Sequence, residues 1–228
     1  MRNQARQQYG FSLVELSVVL VVIGLLVAAV TVGRDVQRNA RYQSLANEFV
    51  QAWAVAYESY VDRTGVVPGD NPQQPTRQVN AGSDALCGEG LLNTMLAAGV
   101  QLPGGRAEGA QDRYAYLDAN GNPQEARLCF LNQNWSVPGA SVGEYQVRQR
   151  NVMVLEGLTP ELARYLDRYF DGQADARFGD FREAQYAAST DSQPREWSLD
   201  SRQSMGGQTS QGDEFQQAVL SARIRMSR

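Results

Sequence analysis

The feature that most constrains this chain is an apolar run near its amino terminus, Phe11 to Val32. It reads FSLVELSVVLVVIGLLVAAVTV and is broken by one acid, Glu15. As an α-helix its 22 residues span about 33 Å at 1.5 Å per residue. That matches the roughly 30 Å hydrocarbon core of a bilayer. A helix apolar on every side needs lipid or a large core around it, and the rest of the chain is short and polar. Valine is an indifferent helix former in water, but lipid forces each backbone group to bond within its own segment, which enforces helix. A secretory signal peptide has a shorter apolar region, roughly 7–15 residues, before a small-x-small cleavage site. Ala28-Ala29 stand near the end of the run, yet its length favours a retained span. Arg2 and Arg6 precede it and Arg34, Arg38 and Arg41 follow, so charge bias leaves the topology open.

Glu15 separates a plain anchor from something more specific. An acid inside a bilayer costs about 2.5–3.5 kcal/mol even on permissive scales, which makes it a functional residue by default. Near the interface, snorkelling or protonation lowers that cost. The sharper reading is that Glu15 awaits a cation from another chain.

Gly10, then Phe11-Ser12-Leu13-Val14-Glu15-Leu16 and the apolar run, resembles the amino terminus of type IV pilins and of the pseudopilins of type II secretion. The resemblance covers only the amino-terminal part of the chain. It implies a basic leader, Met1–Gly10, cut between Gly10 and Phe11 by a membrane-bound prepilin peptidase that also methylates Phe11. It implies a role for Glu15 in filament assembly. The partners implied are that peptidase, other pilin or pseudopilin subunits met through the N-terminal helix, and the inner-membrane assembly machinery. Before assembly the bilayer itself surrounds the helix. The implied location is the bacterial inner membrane with a periplasmic head, then an extracellular pilus or a periplasmic pseudopilus. Many type IV pilins carry proline where this chain has Val32, which favours a straighter span here.

Physical chemistry supports such a pairing. Cleavage would leave an α-ammonium at Phe11 with a pKa of about 8, and N-methylation keeps its charge. Within one helix that ammonium and Glu15 lie about 6 Å apart along the axis. A neighbour displaced along the axis would set its own Glu15 against the ammonium. At low dielectric such a pair fixes the stagger between subunits.

Beyond the span, Arg34 to Asp62 contains neither Gly nor Pro. Tyr42, Leu45, Phe49, Trp53, Ala56, Tyr57 and Tyr60 recur at three- and four-residue steps, an apolar stripe at helical period. The expected divisions are a leader over 1–10, a membrane and filament-core helix over 11–33, its amphipathic continuation over 34–63, and a globular head over 64–228. Gly65 and the sequence Pro68-Gly69-Asp70-Asn71-Pro72 stop the helix. In the head, Pro68 to Gly90 reads as a polar loop and Leu91 to Ala98 as a short helix. Strands are expected over Arg113–Asp118, Gln124–Leu131 and Tyr145–Leu155, the first two joined through an Asn-Gly turn. Thr159 and Pro160 start a helix. Residues 187–214 read as irregular, and Phe215–Met226 as a closing strand with Leu220, Ala222, Ile224 and Met226 inward. The fold class is α+β, a long N-terminal helix packed on a small antiparallel sheet, which is also the pilin fold the resemblance implies.

Composition argues against an enzyme. The chain has no His and no Lys, its 21 basic residues being Arg. It has no Gly-rich phosphate loop and no recognisable nucleophile. Cys87 and Cys129 stand alone; an exported head, as the leader implies, would oxidise them to a disulfide, the alternative being two buried thiols. No cofactor is required. Asp118-x-Asn120-x-Asn122 resembles the start of a calcium loop but lacks the closing Glu. Asp171, Asp175 and Asp180 are a second calcium candidate, since calcium occurs in some pseudopilin heads, with ordinary turn chemistry as the alternative. Arg148, Arg150, Arg223, Arg225 and Arg228 suggest phosphate, and some minor pilins bind DNA. The head carries 15 Arg against 20 acids, 15 − 20 = −5, which argues against nucleic acid. The expected function is a structural subunit, of a minor or specialised kind, with a pilin-stem-displayed adhesion or DNA-binding module as the alternative.

Overall fold

The computed structural model describes residues 12–118, 120–198 and 220–228, and for 29–35 the backbone alone. The chain forms two compact units, Met1–Ala40 and Arg41–Arg228. Helix α1 runs Leu13–Ser44; a π-helical segment, Leu45–Gln51, leads into α2, Ala52–Thr64. The helix ends where Gly65 adopts a left-handed conformation (φ 77°) and donates its N–H to the Val61 carbonyl at 2.8 Å, a turn that glycine makes without steric cost.

The apolar stripe is buried throughout: Tyr42, Leu45, Phe49, Trp53, Ala56, Tyr57 and Tyr60 all lie in the core, joined by Ala46, Val50 and Val61. The π segment was not foreseen, and its burial pattern suggests a reason. Leu45, Phe49, Trp53 and Tyr57 are spaced by four, and four residues overshoot one α-helical turn by about 40°. A wider turn offsets that drift and keeps the four on one face.

That face lies on an antiparallel sheet. The sheet comprises β1 (Leu86–Cys87), β2 (Arg113–Leu117), β3 (Pro123–Pro138), β4 (Tyr145–Leu158), β5 (Phe181–Glu183) and β6 (Leu220–Arg225), in the order β1-β3-β4-β6-β5 with β2 also paired to β3. Alternation in β3 turns Ala126, Leu128 and Phe130 toward the helix. Phe130 meets Tyr57 at 5.0 Å and Trp53 at 6.2 Å between ring centroids, and Phe49 meets Tyr114 at 5.4 Å. The Trp53 indole donates to the Gln111 carbonyl at 3.0 Å. The opposite face of the sheet holds a smaller cluster of Cys129, Trp135, Val152, Val154 and Ala187. The fold is therefore α+β, a helix followed by and packed on a small antiparallel sheet, consistent with a pilin-like fold.

The flanking elements agree with the sequence in kind and depart from it in extent. Helix α3 is Gly88–Ala97 and α4 is Pro160–Asp171, capped by Thr159, whose hydroxyl accepts from Leu162 N–H at 3.3 Å. In β6, Leu220, Ala222 and Ile224 are buried, as is Met226 just beyond. The expected 215–219 portion of that strand, and 199–214 of the irregular segment, lie outside the described residues. Strand β3 continues to Pro138, past its expected end at Leu131, because β4 pairs with it residue by residue out to Tyr145. Strand β5 was not foreseen. Nor was the substructure of the expected 68–90 loop, which holds a 3-10 turn at Val79–Gly82 and strand β1.

Candidate functional site

The stem begins with a cap. Ser12 Oγ accepts the Glu15 N–H at 3.2 Å and the Ser12 carbonyl accepts the Leu16 N–H at 3.1 Å. Glu15 thus sits in the first turn of α1, where an acid complements the positive end of the helix. Ser17 hides its hydroxyl by donating to the Val14 carbonyl at 2.7 Å. From Leu13 to Val27 every large apolar side chain is exposed, between 48% at Val19 and 87% at Leu13. The described side chains of the run stop at Ala28, and among the described residues no helix is long and apolar enough to cross a membrane. The leader, the Gly10/Phe11 junction and the methylation site Phe11 lie outside the described residues.

In the head, Cys87 and Cys129 form a disulfide. They are directly opposed residues of β1 and β3 with Cα atoms 4.5 Å apart, the close spacing of a non-hydrogen-bonded antiparallel pair.

The aspartates organise loops. Among the described residues no group of three or more His, Cys, Asp or Glu is placed to hold a metal ion. Asp171 accepts the N–H of Asp180 at 3.1 Å and of Phe181 at 2.8 Å, and Asp175 accepts those of Arg177 at 2.9 Å and Phe178 at 3.2 Å. Asp180 forms an ion pair with Arg225 at 2.6 Å. Asp118 likewise closes the β2–β3 turn, accepting from Asn120 N–H at 2.9 Å and Asn122 N–H at 2.8 Å. The Asp175 and Asp118 contacts are the turn chemistry of a short acceptor side chain, whereas Asp171 ties the end of α4 to backbone nine and ten residues on.

Two buried polar groups that sequence reasoning missed carry more. Asp167 on α4 is fully buried. Its Oδ2 accepts from the Trp197 indole at 2.6 Å and from Asp175 N–H at 2.7 Å, and its Oδ1 has no partner among the described residues. Burial pushes its carboxyl from 3.8 up to about 7; the two donors pull it down, and the Asp171 and Asp175 charges add to the rise. Asn151, also buried, is a four-way tie: its Oδ1 accepts from Val79 N–H at 3.0 Å and Asn132 Nδ2 at 2.8 Å. Its own Nδ2 donates to the carbonyl oxygens of Arg77 at 3.0 Å and Arg228 at 3.1 Å. The signal for Asn151 is visible in the sequence of β4, where polar QVRQRN gives way to apolar VMVL.

Asn151 floors a cleft of about 800 Å³, walled by Arg77, Arg150, Arg225 and Arg228 together with Asp180 and Gln149. Arg150, Arg225 and Arg228 belong to the arginine row read from the sequence; Arg77 joins them from the loop after α2. The loop is held by Asp70, which accepts from Asn71, Thr76 and Arg77 N–H groups at 2.8–3.1 Å. Burial raises the Asp70 carboxyl, but the Thr76, Arg77 and Asn71 hydrogen bonds outweigh it and hold the group below the usual range. Arg148, by contrast, turns to Gln146 at 3.0 Å.

The stem thus places an acid in the first turn of a helix whose large apolar side chains are exposed from Leu13 to Val27. Residues 5–31 match the prokaryotic N-terminal methylation motif, the signal segment of type IV pilins and pseudopilins. That match spans the Gly10/Phe11 junction, Glu15 and most of the apolar run. No curated protein and no solved structure matches the chain.

Proposed function

We propose that the chain is a structural subunit of a type IV pilus-like filament or of a type II secretion pseudopilus, of a minor or specialised kind, and not an enzyme. The observation that carries this reading is the methylation motif over residues 5–31 with Glu15 held in the first turn of a helix whose large apolar side chains from Leu13 to Val27 are exposed. In this reading a prepilin peptidase cuts between Gly10 and Phe11 and methylates Phe11. The 11–33 segment anchors the subunit in the inner membrane with the 64–228 head in the periplasm, until the assembly machinery moves it into a filament. The freed ammonium of one subunit then neutralises Glu15 of the next, a pair favoured by low dielectric among packed apolar helices. The disulfide is compatible with an oxidising compartment.

Mass spectrometry of sheared filaments and of the membrane fraction tests the reading. The expected species begins at N-methylated Phe11 in the filament fraction. A native chain that begins at Met1, or that never enters filaments, refutes it.

A further inference from the structure

Among the described residues, the end of β6 leaves part of β4 without a neighbour on that side. Strand β6 pairs with β4 from Leu158 back to Val152, and Met226 N–H still reaches the Asn151 carbonyl at 2.9 Å. There the chain turns off, since the Arg228 carbonyl oxygen is taken by the Tyr57 hydroxyl at 2.8 Å and by Asn151 Nδ2. Antiparallel strands send alternate residues' N–H and C=O groups to opposite sides. Because Asn151 points its carbonyl toward β6, Gln149 and Val147 point theirs the same way, beyond the last residue of β6. Tyr145 does too, but Phe178 packs against its ring at 5.5 Å. The open edge is thus Val147 and Gln149, exposed side chains both, while β3 occupies the other side of β4 along this whole stretch.

This edge opens into the arginine cleft. Among the described lining residues Asp180 bears the one side-chain carboxylate, and it is already paired with Arg225. Arg228 is engaged by Glu58 and by Asp62 at 2.9 Å. Arg77 and Arg150 form no ion pair among the described residues, and Arg150 Nη1 instead covers the outward Gln149 carbonyl at 3.2 Å. Among the described residues no aromatic side chain lines the cleft, and such rings form the stacking platform of single-strand nucleic-acid binders.

We propose that this site takes an extended acidic peptide segment of a partner protein, added as a strand beside Val147 and Gln149 in the place β6 vacates. Main-chain hydrogen bonds supply affinity and guanidinium groups select acidic side chains, the division of labour of strand-addition sites. The incoming strand displaces the Arg150 side chain from the Gln149 carbonyl and leaves it facing the peptide's carboxylates. The inference stands on the head alone and is independent of the reading of the stem.

The test is fluorescence anisotropy of a labelled alternating Glu–Val octapeptide with the full chain in neutral detergent. Saturable binding is expected. Arg150→Glu should weaken it by about tenfold or more, as charge reversal beside a bound carboxylate does. Val147→Pro should weaken it similarly, because it removes an outward donor at an edge position where proline is tolerated. The same peptide N-methylated at alternate residues should not bind, a control that needs no variant protein. Absence of saturable binding, or equal binding of the N-methylated peptide, overturns the proposal. Displacement by an oligothymidylate of equal charge makes the cleft a general polyanion site and overturns it as well. Self-association of the unliganded chain that Val147→Pro abolishes assigns the edge to a second copy, again against the acidic-peptide reading.

Discussion

Asp167→Asn should make the head more stable above neutral pH and remove a large part of its pH dependence. The wild-type carboxyl is fully buried, and burial lifts its pKa from 3.8 to about 7. A folded pKa raised above the unfolded one means that the folded state holds a proton the unfolded state has released. Stability from this group is therefore complete below about pH 4, falls as pH rises toward 7, and is flat and low above that. Two units of that window, from pH 5 to 7, correspond to about 3 kcal/mol at 1.36 kcal/mol per unit. Asparagine is neutral at every pH, and its carbonyl oxygen can still accept from the Trp197 indole and Asp175 N–H. Urea unfolding of the full chain in neutral detergent, followed by tryptophan fluorescence at pH 5 and pH 8.5, compares the two proteins. Titration of the remaining carboxylates is common to both and cancels in the difference. The variant should gain about 3 kcal/mol relative to wild type between the two pH values, or roughly 6–12 °C in melting temperature for a domain of this size. A difference that stays constant across that range refutes the argument, because it would mean that Asp167 is ionised throughout and stabilised by its two donors.

Three further perturbations follow from the same structure. Replacing Cys87 and Cys129 by Ser opens a loop of 42 residues and should cost about 4 kcal/mol on the chain-entropy account, read as a lower urea midpoint that matches the reduced wild type. Gly157 sits at φ 74°, and a Cβ there would strike the Glu125 carbonyl oxygen; Gly157→Ala should therefore destabilise the head by about 2 kcal/mol or more, whereas Gly143→Ala, with φ 82° but open space around it, should cost less in the same melt. Glu15→Ala should leave membrane fractionation unchanged and strongly reduce the subunit's share in sheared filaments, measured by quantitative mass spectrometry; normal incorporation would remove Glu15 from the assembly step.

What the sequence made legible was whatever a local period or a local cap encodes. The Tyr42–Tyr60 stripe, the Thr159-Pro160 start of α4, the Gly65 stop and the inward set of β6 each follow from residues within a turn or two of one another. The parts that escaped depend on partners far along the chain. Strand β5 is three residues long and exists because β6, some forty positions later, pairs with it; nothing within Phe181–Glu183 announces that. The buried Arg182 at its centre is read only with Trp135, whose ring lies 4.3 Å from the guanidinium, and with Ser136, which accepts from it at 2.8 Å. Burial, and the nearby Arg225 charge, bring that guanidinium down to about 10, a cost that only the assembled site explains. Asp171, Asp175 and Asp180 look like ligands in one dimension because turn residues and calcium ligands are drawn from the same acids; in the structure Asp171 and Asp175 accept backbone N–H groups and Asp180 pairs with Arg225. In the stem, the apolar run and Glu15 were legible, whereas the Ser12 cap that fixes Glu15 in the first turn needed coordinates.

The division of labour between the two units bears on why an acid sits where it does. Every residue of both core clusters lies at or beyond Tyr42, so the head builds its interior without drawing on Leu13–Val27. Those side chains are left exposed, and a continuous apolar surface of that extent is not tolerated in water. Among the described residues nothing covers them. Lipid satisfies the leucines and valines but penalises Glu15; packed helices of other subunits satisfy both, provided a cation arrives at the level of the carboxylate. A stem made only of leucine and valine would gain little by leaving the bilayer, since lipid tails are as apolar as its neighbours. In the proposed function Glu15 makes the two environments unequal, and the inequality favours the filament only after cleavage has created the ammonium at Phe11. In that reading processing and assembly are coupled by one charge pair, and an unprocessed chain with an intact Glu15 should remain in the membrane fraction even when the assembly machinery is present.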